Sequence, residues 1–161
     1  MAKPAPGQRV VAAVIIAALG LASMALAGNR IDFDGPTTVH VTNRAVAKRM
    51  NAMARADAAI QALGDMMGGR RLYNEHQARE VRKILIATME DIPSLFRRPQ
   101  TDPLSRARPL IWTYKGDFRD RARAAERAAR QLDVDRYEDI RRTLPRLVEA
   151  CLDCHRIYRD P

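Results

Sequence analysis

Apolar side chains recur at helical spacing in four stretches of the chain. In the first, they follow one another at steps of three, four or seven residues, which predicts one face of a helix that stops at Gly68-Gly69. The second begins at Asn74, a residue type that caps helices, and is predicted to end at Pro93, which cannot continue a helical hydrogen-bond ladder. The apolar members of these two faces are Val46, Met50, Met53, Ile60, Leu63 and Met67, then Val81, Ile84, Leu85, Met89 and Ile92.

Two further helical faces follow a segment rich in proline and arginine, residues 93–109, which is predicted to be a loop. Pro145 lies inside the last face and predicts either a kink or a second helix start capped by Thr143. No stretch alternates polar and apolar residues for long, as a strand would. The four amphipathic helices therefore predict an all-α fold, an antiparallel four-helix bundle. The third and fourth faces consist of Ile111, Tyr114, Phe118, Ala122, Ala125, Ala129 and Leu132, then Tyr137, Ile140, Leu144, Leu147, Val148, Cys151, Cys154, His155 and Tyr158.

Residues 1–27 have the features of an export signal. Two basic residues precede an apolar run, residues 10–27, that ends in A-L-A, the small-x-small pattern that signal peptidase accepts. An uncleaved membrane anchor is the alternative interpretation, since a run of this length lies at the lower edge of what spans a bilayer. Under either interpretation the folded domain, residues 28–161, is expected outside the cytoplasm, in the periplasm.

Composition and charge limit the class of protein and the kind of partner. The 161 residues are 47% hydrophobic and 29% charged, as expected for one globular domain. With 28 Lys and Arg against 19 Asp and Glu, the formal net charge of +9 is compatible with nucleic acid, an anionic membrane surface or an acidic protein partner. Export argues against nucleic acid, and so does the absence of a basic block interleaved with aromatic residues. We interpret most of these charges as a solvated, arginine-rich surface.

Both cysteines and one histidine lie close together near the C-terminus, in the sequence Cys151-Leu-Asp-Cys154-His155. C-x-x-C-H is the attachment sequence of c-type haem. On a helix, residues i, i+3 and i+4 share a face, so two thiols can each bond a haem vinyl group while the imidazole reaches the iron. Cys151 and Cys154 are therefore the predicted attachment points of one haem c, and His155 is the predicted iron ligand.

Three other interpretations of the motif are a thioredoxin-like redox pair, half of a zinc site and a simple disulfide. A redox pair requires a strand-to-helix setting, which no part of the chain predicts. A structural zinc site requires a fourth ligand. A metal-binding or disulfide-stapled helical protein without haem is thus the alternative from a different class.

A haem motif on the last helix of a four-helix bundle resembles the cytochrome c′ family, the class II c-type cytochromes. The resemblance extends over most of residues 39–160. The motif is followed almost at the chain end by Tyr158-Arg159, Trp112 lies where the third helix opens, and a Gly-rich turn leads to Tyr73 before the second helix.

This resemblance implies roles for three further residues. Counting back from the tyrosine of the turn, it implies Met53 at the distal position and Arg49, four residues earlier, beside a haem propionate. It also implies that Arg159 packs near the imidazole of His155, where a positive charge would tune the iron. Core packing of Met53, Met50 as the ligand and an exposed Arg49 are the alternatives that remain open.

A methionine at the distal position resembles the six-coordinate, low-spin members of the family, which suit electron transfer. We therefore expect a periplasmic one-electron carrier for redox partner proteins of a respiratory or photosynthetic chain, and no enzyme activity of its own. The alternative is a five-coordinate protein that binds nitric oxide or carbon monoxide at an open distal site. Because family members often pair through their first two helices, a homodimer is also implied by the resemblance.

Overall fold

The computed structural model describes residues 41–161, and the predicted signal peptide, residues 1–27, lies outside this part. Within it the chain forms five helices and one isolated β-bridge. The four long helices pack in the cyclic order α1, α2, α4, α5, which confirms the all-α four-helix bundle. The helices are α1 (Arg44–Met67), α2 (Glu75–Leu95), α3 (Leu110–Thr113), α4 (Lys115–Arg130) and α5 (Tyr137–Tyr158).

Contacts between helix ends show that neighbouring helices run in opposite directions. Near the start of α5, the Tyr137 hydroxyl donates to the carbonyl oxygen of Met67 at the end of α1, at 2.8 Å. At the other end of the bundle, the rings of Phe118 in α4 and Tyr158 in α5 pack edge to face, with centroids 5.3 Å apart. Phe96, which follows α2, lies 5.2 Å from the Phe118 ring. The start of α4 therefore meets the ends of α2 and α5.

Side-chain caps and a glycine turn set the first helical hairpin. Asn43 Oδ1 accepts hydrogen bonds from the backbone N–H groups of Ala45 and Val46, which have no partner within α1. Asn74 accepts from the Gln77 N–H at the start of α2, as its residue type predicts. Between the helices Gly69 adopts φ 71°, a left-handed conformation that favours glycine.

Two boundaries differ from the sequence prediction. Helix α2 continues through Pro93 to Leu95, so the predicted end at Pro93 is wrong. Proline removes only one donor, and near the end of a helix the remaining ladder persists without it. The prediction of a single third helix is also wrong, because Tyr114, at φ −110° and ψ 53°, separates α3 from α4.

Helix α5 is continuous from Tyr137 to Tyr158, with Pro145 inside it. The alternative of a second helix start at Thr143 is therefore wrong. The Thr143 hydroxyl instead lies 2.7 Å from the carbonyl oxygen of Asp139 and accepts from the N–H of Asp133 at 3.0 Å. Its role is to hold the connection before α5 against the helix, and α5 carries the C-x-x-C-H motif on one uninterrupted element.

The predicted loop forms a bridge between the first and last helices. One part of the loop is held at the start of α1, where Asp102 Oδ2 accepts hydrogen bonds from the backbone N–H groups of Thr42 and Asn43 at 3.0 and 3.2 Å. Its other end pairs with the tail after α5 through the isolated bridge between Ala107 and Arg159. None of the helices in residues 41–161 is both long and apolar enough to span a membrane.

Candidate functional site

All six site residues predicted from the sequence line one cavity of about 380 Å³. Helix α1 contributes one wall and helix α5 another, while the loop after α2 and part of α4 complete it. The structure thus brings together residues that are up to about a hundred positions apart in the chain. The six are Arg49, Met53, Cys151, Cys154, His155 and Arg159.

The two thiols and the imidazole face the cavity from α5. Cys151 and Cys154 are half-buried and form no disulfide. Burial raises the pKa of each thiol to about 11, so both are protonated at neutral pH. Burial, and then the charge of Arg159, lowers the pKa of His155, which favours the neutral imidazole, the form that binds a metal.

The zinc and disulfide interpretations find no support in this geometry. Among residues 41–161, no group of three or more His, Cys, Asp or Glu side chains is placed to hold a metal ion. The described chain therefore lacks the set of ligands that a structural zinc site needs around Cys151, Cys154 and His155. The two sulfur atoms are free.

Two methionines of α1 line the cavity, Met53 and Met50. Both are half-buried, and Met53 packs against the hydrophobic core. The structure therefore brings both Met53 and Met50 to the same cavity as His155, from two adjacent helices.

Arg49 is buried, with only 3% of its surface exposed, so the alternative of an exposed arginine is wrong. Its guanidinium donates to three backbone carbonyls at and after the end of α2, those of Leu95, Arg98 and Gln100, at 2.8, 2.5 and 3.0 Å. It also lies 4.9 Å from the centroid of the Phe96 ring. These bonds use three of the five N–H groups of an arginine. Its pairing with a haem propionate stays a prediction.

Arg159 is held in place by backbone hydrogen bonds on both sides. The N–H of Arg108 donates to the Tyr158 carbonyl at 3.0 Å, and the N–H of Asp160 donates to the Arg106 carbonyl at 2.8 Å. Arg108 Nε also donates to Asp160 Oδ1 at 2.8 Å. The end of α5 is thereby fixed to the loop, and the Arg159 side chain lines the cavity.

Sequence reasoning missed a polar pair beside the cysteines. The Tyr158 hydroxyl donates to Asp117 Oδ2 at 2.6 Å, and Arg121 donates to the same oxygen at 2.8 Å. Burial, and then the bond to Asp117, raises the pKa of Tyr158 to about 12. Only contacts between α4 and α5 reveal this pair, because no spacing in the sequence links residues 117 and 158.

Sequence reasoning also missed Asp57, which lines the cavity one helical turn after Met53. The i, i+4 relation to Met53 was the available signal. Asp57 is exposed, and its carboxylate accepts a hydrogen bond from the Gln61 side chain at 2.8 Å.

The residues that line this cavity fit haem c. Two free thiols and a neutral imidazole lie on one helix at the required spacing, and a thioether lies on the helix packed against it. The other walls are largely apolar and include Met89, Ile92, Phe118 and Val148. An apolar cavity with a few convergent polar groups is the usual form of a cofactor site.

Comparisons with known proteins agree with this geometry. A family model described as Cytochrome C′ matches residues 44–159. A comparison with curated protein sequences gives no match. Among solved structures, the nitric oxide complex of a leucine-to-isoleucine variant of cytochrome c prime from Alcaligenes xylosoxidans is 21% identical, with a TM-score of 0.65 over 73% of this chain and 94% of that one.

Two further solved structures are similar to the same part of the chain. A carbon monoxide-bound glycine variant of the Alcaligenes xylosoxidans protein is 21% identical, with a TM-score of 0.65 over 73% of this chain and 94% of that one. Oxidised R. palustris cytochrome c556 is 20% identical, with a TM-score of 0.66 over 73% of this chain and 97% of that one. At these identities the likeness shows the fold alone.

Proposed function

The chain belongs to the cytochrome c′ family and carries a single covalent haem c, and on this premise we propose that it is a periplasmic one-electron carrier. Cys151 and Cys154 would hold the haem through thioether bonds, and His155 would bind its iron. When bound, the haem supplies an iron that alternates between the ferric and ferrous states.

The observation that carries this proposal is the shared cavity of Met53 and His155. The two side chains come from α1 and α5, helices that pack against each other. A thioether is a neutral ligand, and a methionine–histidine pair raises the reduction potential. With Met53 as the second ligand, the site would be closed to small gases, and neither redox state would need to gain or lose a ligand.

The chain's own residues support such a carrier in two ways. The largely apolar walls would limit the access of water to the iron, so its environment would change little when an electron moves. Arg49 and the tail pairing at Arg159 hold the loop and the end of α5, which limits movement of the helices that carry the two ligands. We propose no enzyme activity for it, and we propose redox proteins of a respiratory or photosynthetic chain as its partners.

A second candidate function is the binding of nitric oxide or carbon monoxide. Solved structures with the same fold include a nitric oxide complex and a carbon monoxide-bound form of cytochrome c prime. This function requires a distal side without a protein ligand. The protein would bind these gases if both methionines of the cavity serve only to fill space and do not bind the iron.

The optical spectrum of the holoprotein separates the two functions. We expect a low-spin spectrum that carbon monoxide does not change in the reduced protein. Met53→Ala should become high-spin and should bind the gas, because the remaining side chain cannot coordinate iron. Met50→Ala is the matched control, since it removes a methionine from the same wall and should leave the spectrum unchanged.

Two results would contradict parts of this proposal. A wild-type protein that is high-spin and binds carbon monoxide at once would favour the gas-binding function. A low-spin spectrum that survives in Met53→Ala and disappears in Met50→Ala would assign the ligand to Met50 and leave the carrier function in place.

A further inference from the structure

The cavity opens at the surface between the loop after α2 and the end of α5. Leu104 of the loop and Leu152 of α5 both line it, and 46% and 56% of their surfaces are exposed. Leu152 lies between the two cysteines of the motif. Large apolar side chains at the mouth of a cavity cost free energy in water, and their grouping marks an interaction surface.

Two exposed arginines, Arg106 and Arg159, line this opening together with the exposed carboxylate of Asp57. Residues 96–109 contain four arginines and one aspartate, hence a formal charge of +3. Of the four, only Arg108 has a carboxylate partner within the described residues, Asp160 Oδ1 at 2.8 Å. Arg106 is exposed and lines the cavity beside Leu104. The opening therefore has apolar side chains at its centre and more positive than negative groups at its edge.

The surface is fixed before any partner arrives. Arg49 holds the carbonyls of residues 95–100, Asp102 bonds the backbone before α1, and the bridge from Ala107 to Arg159 ties the loop to the tail of α5. Little conformational entropy would be lost when the loop is covered, which lowers the cost of a transient contact.

We propose that Leu104, Arg106 and Leu152, called the rim below, form the docking surface for an acidic redox protein. This inference rests on the proposed carrier function. The leucines would exclude water between the two redox sites, and the arginine charge would steer a partner with a negative surface towards the opening. Charge complementarity selects the acidic partner, because Arg106 and Arg159 are exposed at the opening and have no carboxylate partner among the described residues, whereas Asp57 is the one exposed carboxylate that lines it in that part of the chain. Nearby, Asp153 and Asp160 are paired with Arg156 and Arg108.

Electron exchange of the holoprotein with three reagents tests the rim. The reagents are hexacyanoferrate(III) as a small anion, hexaammineruthenium(II) as a small cation and an acidic blue-copper protein. Stopped-flow rates are measured at about 10 mM ionic strength, where the screening length is about 30 Å, and again at about 1 M, where it is about 3 Å.

The variant Arg106→Glu reverses one charge of the rim. At low salt we expect it to slow the reactions with hexacyanoferrate and the copper protein by about threefold or more, and to speed up the reaction with hexaammineruthenium. At high salt these differences should vanish. Arg127→Glu is the matched control, because Arg127 is exposed in the last turn of α4, at the opposite end of the bundle. It should change the three rates by less than about 1.5-fold.

The apolar part of the rim is tested separately. Leu152→Ser should slow only the reaction with the copper protein, because small ions need no apolar contact. The optical spectrum of each variant shows whether its haem site is intact. Arg98→Glu, on the same loop, provides a second charge reversal if Arg106→Glu does not fold.

The two possible failures are distinguishable. If Arg106→Glu, or Arg98→Glu in its place, and Arg127→Glu affect the rates equally, the rim is not the docking surface, while the carrier function stands. If the wild-type protein exchanges electrons with none of the three reagents, the carrier function is wrong, and this inference with it.

Discussion

Arg49 combines a full positive charge with deep burial, and its hydrogen bonds explain why the bundle tolerates it. Three backbone carbonyls at and after the end of α2 accept from its guanidinium, and Phe96 and Trp112 lie against it, with ring centroids 4.9 and 5.2 Å away. These partners compensate for the loss of water around the charge, and removing the guanidinium would leave the three carbonyls without a donor, which costs free energy of folding. Arg49 is thus a link between α1 and the loop, whatever it contributes to the haem.

Replacing Arg49 with methionine should lower the free energy of unfolding of the holoprotein by about 2–4 kcal/mol, because buried carbonyls would be left without donors. Lys48→Met is the matched control, since Lys48 is the exposed neighbour and its loss should change stability by less than about 0.5 kcal/mol. Urea unfolding followed by circular dichroism measures both. Equal effects for the two variants would contradict a structural role for Arg49.

At the scale of helices, the two internal prolines explain most of the differences between prediction and structure. The sequence predicts an end of α2 at Pro93 and either a kink or a second helix start at Pro145, yet α2 and α5 continue through their prolines. Each helix buries an apolar face along its length, and this burial outweighs the loss of a single backbone hydrogen bond. The tendency of proline to end an isolated helix is therefore outweighed by the packing of α2 and α5 in the bundle.

The variant Pro145→Ala should raise the free energy of unfolding by about 1–3 kcal/mol. Alanine restores the N–H that α5 lacks at this position, and the exposed proline has little packing to lose. Pro99→Ala, in the loop, is the control and should instead lower stability by about 0.4–1 kcal/mol, because it only frees the unfolded chain. Chemical denaturation compares the two. A loss of stability in Pro145→Ala would mean that α5 depends on the geometry that the proline imposes.

At the scale of the whole molecule, two carboxylates join separate elements, and a third holds the first turn of α5. Asp102 ties the loop to the start of α1, Asp117 ties α4 to α5, and Asp139 joins Arg136 and Arg142 at the start of α5. Hydrogen bonds hold the pKa of each below its ordinary value, with the Leu104 N–H as the main cause for Asp102. Protonation therefore weakens several links at once.

The sign of this pH dependence follows from the lowered pKa values. Each carboxylate contributes its stability in full above its ordinary pKa of about 3.9. That contribution decreases as the pH falls below this value and disappears below the lower pKa of the folded state. Asp102→Asn should thus be less stable than wild type at pH 7, and the difference should shrink as the pH falls below about 4.

Unfolding measured across the pH range checks this expectation. Asp91→Asn is the control, because the exposed Asp91 carboxylate has no hydrogen bond or ion pair in the described part of the chain. The Asp91→Asn variant should show the same dependence of the free energy of unfolding on pH as the wild type. A difference between Asp102→Asn and wild type that stays constant with pH would show that the Asp102 carboxylate does not carry the effect.

The amino-acid sequence by itself determined the class of fold and the haem motif. Four apolar faces at helical spacing require a bundle, because each face can be buried only against another. C-x-x-C-H on the last of them places Cys151, Cys154 and His155 on one side of a helix, and this local relation does not depend on the rest of the chain. Family resemblance added Met53, Arg49 and Arg159, and these too line the cavity.

Only the tertiary structure decided what those residues contact. Periodicity assigns Arg49 to a face of α1, but its carbonyl partners lie more than 40 positions away, where α2 ends. The hydrogen bond between Tyr158 and Asp117 likewise depends on the tertiary structure, because it joins α4 and α5. The rim does too, because its residues come from the loop and from α5, which meet only in the folded bundle. Spacing describes one helix at a time, whereas hydrogen bonds and cavities depend on how the helices pack against one another.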